Sequence, residues 1–124
     1  MPRVVHFEIP ADDPERAVKF YEAAFGWKIS KWEGPMEYWL VITGEEDQPG
    51  IDGAIMPREG PAAQANTVNT VEVSSFDEFA DKVKAAGGKL LSPKQEIPGV
   101  GYHAYCADTE GNLFGLLEPR MPAD

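Results

Sequence analysis

Cysteine, histidine and basic residues are all scarce in this chain. Its 124 residues hold one Cys and two His. A lone Cys106 excludes an internal disulfide, and a chain without a disulfide framework fits a reducing, cytoplasmic setting. No basic residue adjoins Cys106 to stabilise a thiolate, so it reads as a small buried apolar group. Eleven Lys and Arg face 21 Asp and Glu, leaving a net charge of −10. Such a surface repels phosphate backbones and anionic lipids, so no nucleic acid and no membrane is expected as a partner. No apolar run approaches the roughly 20 residues of a spanning helix. The first residues enter a strand pattern at once, which speaks against a secretory leader. Also absent are a phosphate-binding P-loop, a Gly-x-Ser-x-Gly elbow, a Gly-x-Gly-x-x-Gly turn and a paired Cys-x-x-Cys. The simplest nucleotide, hydrolase and zinc readings go with them.

What the chain does hold is an ordinary apolar content of 43%, enough for one well-buried core. Two independent domains would be small at roughly 60 residues each. The chain is instead organised around a βα unit over residues 4–27. Val5, Phe7 and Ile9 alternate with His6 and Glu8, so one strand face packs on a helix and the other carries polar groups. Asp13 is placed as the helix cap, Pro14 at the first helical position, and Gly26 as the stop. Ala17, Val18, Phe20, Tyr21, Ala24 and Phe25 recur at helical spacing between them.

Residues 68–90 repeat this order. A strand precedes Ser75 and Glu78 at capping-box spacing, then a stripe of Phe76, Phe79, Ala80, Val83 and Ala86, then Gly87 and Gly88. A shift of 62 residues superposes the two helix ends and sets Val68 opposite His6; a shift of 64 pairs Glu8 with Glu72. Either shift supports an internal duplication.

After the first helix, strands are expected at 27–32, 38–43 and 51–56, with an acidic hairpin loop at 45–50. Residues 58–67 lack apolar periodicity and read as a linker. After the second helix, a short strand at 89–93, a loop at 95–101 and strands at 102–107 and 113–118 follow. The Asp-Thr-Glu-Gly-Asn turn at 108–112 joins the last two. The tail from Pro119 is expected to fray. The fold class is thus α+β, a single domain of two βαβββ modules at about 1–57 and 68–120.

That order resembles the vicinal oxygen chelate superfamily, which includes glyoxalase I, bleomycin resistance proteins and extradiol dioxygenases. His6 with the Phe20-Tyr21 and Phe25-Gly26 that follow, the Ala85-Ala86-Gly87-Gly88 helix end and the 108–112 turn carry the match. The resemblance implies two modules whose sheets curl into a cup around a small ligand and a divalent metal, usually in a homodimer. In metal-using members the ligands are His, Gln or Glu from the first, fourth, fifth and eighth strands. His6 stands at the first of these positions. The fourth strand offers only Asp52 at its edge, the fifth-strand position falls on Val68 or Thr70, and the eighth on Gly115. One imidazole does not hold a divalent ion against water. No metal and no other cofactor is therefore expected. A noncanonical set of His6, Glu8, Glu72 and Glu118 is the remaining alternative.

His6 is the obvious acid/base with Glu8 as its orienting partner, because an imidazole titrates near neutrality. A hydrogen-bonded or solvated bystander on a polar strand face explains each of them equally well. Trp39, Thr70, Glu72 and Tyr102 are the expected ligand contacts; the aromatics would supply flat walls with polar tips. Three function classes stay open. The first is a metal-independent binding protein for a small organic molecule. The second is a glyoxalase-type lyase, isomerase or dioxygenase, which would need donors not found. The third is an interaction domain with a vestigial cup.

Overall fold

Two helix caps anchor the architecture. In the computed structural model, which describes residues 2–120, the Asp13 carboxylate accepts from the Arg16 N–H at 3.1 Å and the Ser75 hydroxyl from the Glu78 N–H at 3.3 Å. Each side chain satisfies an orphan donor of its helix's first turn. Helix α1 spans Pro14–Phe25 and α2 spans Phe76–Ala85. Gly26 ends α1 in the left-handed region at φ 70°, where a side chain would be strained.

Nine strands lie among the described residues: β1 Arg3–Ala11, β2 Lys28–Lys31, β3 Trp39–Ile42, β4 Asp52–Pro57, β5 Val68–Glu72, β6 Lys89–Leu90, β7 Gln95–Ile97, β8 Gly101–Ala107 and β9 Leu113–Pro119. The chain divides into two compact units, one of His6–Val68 and one of Asn69 onward together with the residues through Val5. Within the first, β2, β3 and β4 pair antiparallel, and β4 pairs parallel with β1. Within the second, β5 pairs parallel with β9, β9 antiparallel with β8, and β8 with both β6 and β7. The sheet is therefore mixed, and the α+β class with a βαβββ order holds in the first half.

The second half departs from that order by one strand. Residues 95–97, expected as loop, form β7, with Gln95 opposite His103 and Ile97 opposite Gly101. Expected strand 89–93 is only two residues long; Ser92 instead turns its hydroxyl to accept from the Tyr105 N–H at 2.8 Å. The linker contains a 3-10 turn, Gly60–Ala62, with Ala62 buried. Arg58 fastens its start, bonding the Pro10 carbonyl and pairing with Asp12 at 3.0 Å. The tail expected to fray from Pro119 is held for two residues: Pro119 closes β9 opposite Gly101, and the Arg120 N–H donates to the Val100 carbonyl at 2.8 Å; residues 121–124 lie outside the described residues.

Each unit has its own core on the helix side of its strands. Ala11, Trp39, Val41 and Ile55 form one, with Phe7, Ile9, Ala17, Val18 and Tyr21 packed against them. Val73, Phe76, Ala80, Ala104, Cys106 and Leu116 form the other. Because strand side chains alternate, this leaves an opposite face in each unit that no helix covers.

Candidate functional site

In the first unit the uncovered face is built by register. His6 lies opposite Asp52, Glu8 opposite Ala54, and Leu40 opposite Ala54 on the other side. His6, Glu8, Leu40, Ile42 and Ala54 therefore share this face, while Phe7, Ile9, Trp39 and Val41 turn to the helix. Tyr38, one residue before β3, joins the first group. Its hydroxyl donates to Glu8 Oε2 at 2.5 Å and lies 3.0 Å from His6 Nε2. The His6 and Tyr38 rings are nearly parallel, at 11° and 6.4 Å between centroids, and Trp32 meets Tyr38 edge-on.

This His6–Tyr38–Glu8 chain is partly withdrawn from water, with Glu8 only 5% exposed. Burial pulls the His6 imidazole below its ordinary value of 6.5, although the Glu8 and Asp52 carboxylates pull the other way. The ring is thus neutral at neutral pH and can take or hold a proton. Leu40 and Ile42, at 39% and 50% exposed, leave apolar surface open beside it. A polar anchor next to bare apolar side chains is the chemistry of a small-molecule site.

In the second unit the uncovered face carries Thr70, Glu72, His103, Tyr105, Gly115 and Leu117, paired as Thr70 with Gly115, Glu72 with Leu117 and Tyr105 with Gly115. His103 leans over Gly115. A Cβ built there would lie 2.9 Å from His103 Nε2 and 3.2 Å from Thr70 Oγ1. The absent side chain is what admits the imidazole.

Two expected ligand contacts lie elsewhere. Trp39 is buried in the helix-side core, because strand alternation gives the uncovered face to its neighbours Tyr38 and Leu40. Tyr102 stands opposite Glu118, beneath the Lys94 ammonium at 4.4 Å, and Lys94 also reaches the Phe76 ring and Asp77. Glu118 accepts from the Phe76 N–H at 2.7 Å and so caps the amino end of α2. The alternative set including Glu118 is thereby broken, since that carboxylate faces the helix. Thr70 and Glu72 lie on the uncovered face as expected from alternation. Tyr38, one of several strand aromatics able to line such a face, and His103, at no expected ligand position, stand on the uncovered faces although neither is an expected contact. Both had a signal: each alternates with a residue destined for the core, Tyr38 with Trp39 and His103 with Ala104.

The four metal positions implied by the resemblance do not make a donor set. His6 is present, β4 offers Ala54 and Met56 on that face, β5 offers Val68 or Thr70, and β9 offers glycine. Asp52 is engaged by the Thr43 N–H at 2.9 Å. Among the described residues no group of three or more His, Cys, Asp or Glu is placed to hold a metal ion.

The remaining expectations concern single groups. Cys106 is buried, and burial pushes its thiol up. In the 108–112 turn, the Asn112 and Glu110 amides donate to Asp108 Oδ1 at 2.8 Å each, and the Asn112 side chain donates to Oδ2. The Asn112 amide foremost holds the Asp108 carboxyl below the usual range. No helix among the described residues is long and apolar enough to cross a membrane.

An α+β fold of βαβββ type with this uncovered polar face defines a class, and comparison with known proteins gives the family. The model of the Glyoxalase/Bleomycin resistance protein/Dioxygenase superfamily matches residues 3–116, and the chain belongs to that superfamily. CFP32 of Mycobacterium bovis, which bears a provisional glyoxylase name, is 30% identical over 114 residues, covering 90% of this chain and 42% of that protein. The chain thus spans under half the length of that relative. A glyoxylase-like domain-containing protein of Didymella fabae is 31% identical over 116 residues, with 88% of each covered. Among solved structures, hypothetical protein BH1468 of Bacillus halodurans shares the fold at TM-score 0.73 and 16% identity, covering 99% of this chain and 98% of that one. Methylmalonyl-CoA epimerase of Mycobacterium tuberculosis does so at 0.69 and 15%, covering 95% and 88%.

Proposed function

We propose that this chain binds a small organic molecule on the uncovered face of the His6–Val68 unit, without the superfamily's metal site. The observation that carries the reading is the His6–Tyr38–Glu8 hydrogen-bond chain beside exposed Leu40 and Ile42. Apolar side chains supply contact area, and the buried polar chain supplies orientation. On this reading the protein acts as a homodimer in the reducing cytoplasm, as the resemblance and the lone cysteine suggest.

A thermal-shift screen of small organic compounds, run with EDTA and again with a divalent metal, tests it. A compound present at 100 times its Kd stabilises the protein by about 2.7 kcal/mol, a shift on the order of 10 °C for a domain of this size. The reading expects such shifts in EDTA, and expects Tyr38→Phe to weaken the hits, because it frees the His6 and Glu8 side chains that the hydroxyl bridges. Shifts that appear only with metal would contradict it. They would favour instead a metal-dependent lyase, isomerase or dioxygenase, the reading to which the glyoxylase name of CFP32 lends support.

A further inference from the structure

The direction of the hydrogen bonds at Tyr38 constrains what this face can receive. A phenol has one proton to give. Tyr38 gives it to Glu8 Oε2, so its oxygen can only accept from His6 Nε2, 3.0 Å away. A neutral imidazole carries a single N–H, which places that proton on Nε2 and a lone pair on Nδ1. No hydrogen bond to Nδ1 forms among the described residues. No buried side-chain nitrogen or oxygen there lacks a partner, so Nδ1 reaches solvent-accessible space. The phenol and carboxylate beside it thus fix one tautomer and leave Nδ1 as the acceptor.

The surroundings narrow the ligand further. Glu8 and Asp52 lie beside the ring on β1 and β4 and oppose a carboxylate or phosphate. Lys28, opposite Ile42 on β2, opposes a cation at the other end of the face. Leu40 and Ile42 between them favour an apolar body. We infer that His6 is held as the Nε2–H tautomer and that the ligand of this face is a neutral hydroxyl compound, a phenol or enol, received through its O–H at Nδ1. This rests on the reading that the face binds a small molecule at all.

Two measurements test it separately. In protein labelled with 15N-histidine at pH 7.5, the His6 Nε2 resonance is expected at a protonated-nitrogen shift and Nδ1 at an unprotonated one. Tyr38→Phe is expected to release the ring to a mixture of both tautomers. The opposite tautomer in the wild type, or an unchanged pattern in Tyr38→Phe, overturns the inference. For the ligand class, 4-methylphenol, neutral at this pH as a phenol with an ordinary pKa near 10, is titrated against 4-methylanisole, which has the same body without the O–H. The phenol is expected to bind about tenfold more tightly, the worth of one well-made hydrogen bond. Equal affinity overturns the ligand class. If neither binds while the tautomer is as expected, the ligand class is overturned and the assignment of the acceptor nitrogen stands; the thermal-shift screen then decides the small-molecule reading by itself.

Discussion

The two units share a build and differ in what their uncovered faces carry. Each has a parallel pair of strands flanking the polar positions, β1 with β4 and β5 with β9, and a capped helix behind. In the His6–Val68 unit the face holds a hydrogen-bonded imidazole, phenol and carboxylate. In the second unit an imidazole instead lies on a glycine beside a threonine. Each unit keeps its helix-side core because every position there touches several others, whereas the opposite face is free to change chemistry. The glycines show the same contrast. Gly53 is overlaid on the helix side by Phe7, backbone included, and Gly115 on the other side by the tip of His103.

The helices sharpen the comparison most. Phe76 of α2 is 2% exposed and Phe20 of α1 is 58% exposed. Phe76→Ala should cost about 4 kcal/mol in urea unfolding, and Phe20→Ala under about 0.5 kcal/mol. Similar losses at both positions would show that the first helix buries its aromatics as fully as the second. Next in size, Gly53→Ala drives a Cβ to within 2.4 Å of the Phe7 carbonyl oxygen, which cannot yield as a side chain can. About 3 kcal/mol is expected. At Gly115→Ala the closest neighbour is the end of the His103 ring, so a loss of about 1 kcal/mol is expected, together with shifted His103 resonances. Equal costs at the two glycines would contradict the contrast between rigid and yielding cover.

The smallest effect is the pH dependence of His6. Its folded pKa lies below 6.5 chiefly through burial, so between that lowered value and 6.5 the unfolded chain binds the proton more readily. The stability from the neutral ring is present above pH 6.5 and is lost as pH falls toward the folded pKa, with a slope no steeper than about 1.4 kcal/mol per pH unit. His6→Gln should flatten that part of the curve. A wild-type stability that rises on acidification through the same window would reverse the sign and remove burial as the dominant cause.

Much of this is legible in the sequence. Asp13, Ser75 and Gly26 announced the helix ends because caps are local chemistry. The assignment of His6 and Glu8 to the uncovered face survived the ambiguity between shifts of 62 and 64 residues, since an even difference leaves strand alternation untouched. Less legible was the stretch from Tyr38 to Ile42, apolar on both faces, where period two gives no sign of which aromatic meets the helix. Trp39 went to the core and Tyr38 to the polar chain. The short pairing of 95–97 with β8 rests on backbone bonds across a turn closed by the Val100 N–H on the Ile97 carbonyl, and a three-residue strand leaves almost no pattern of its own. Tyr102 was misleading because a tyrosine on a strand suits a ligand wall and a lysine perch equally well.

The central claim is that recognition belongs to the His6–Tyr38–Glu8 face and needs no metal. Backbone amide NMR of the protein in EDTA, titrated with the first compound that stabilises it in the thermal screen, addresses this directly. The account predicts that amides of residues 6–8 and 38–42 move and that those of 101–119 stay. Movement confined to 101–119, or none until a divalent ion is added, would contradict it.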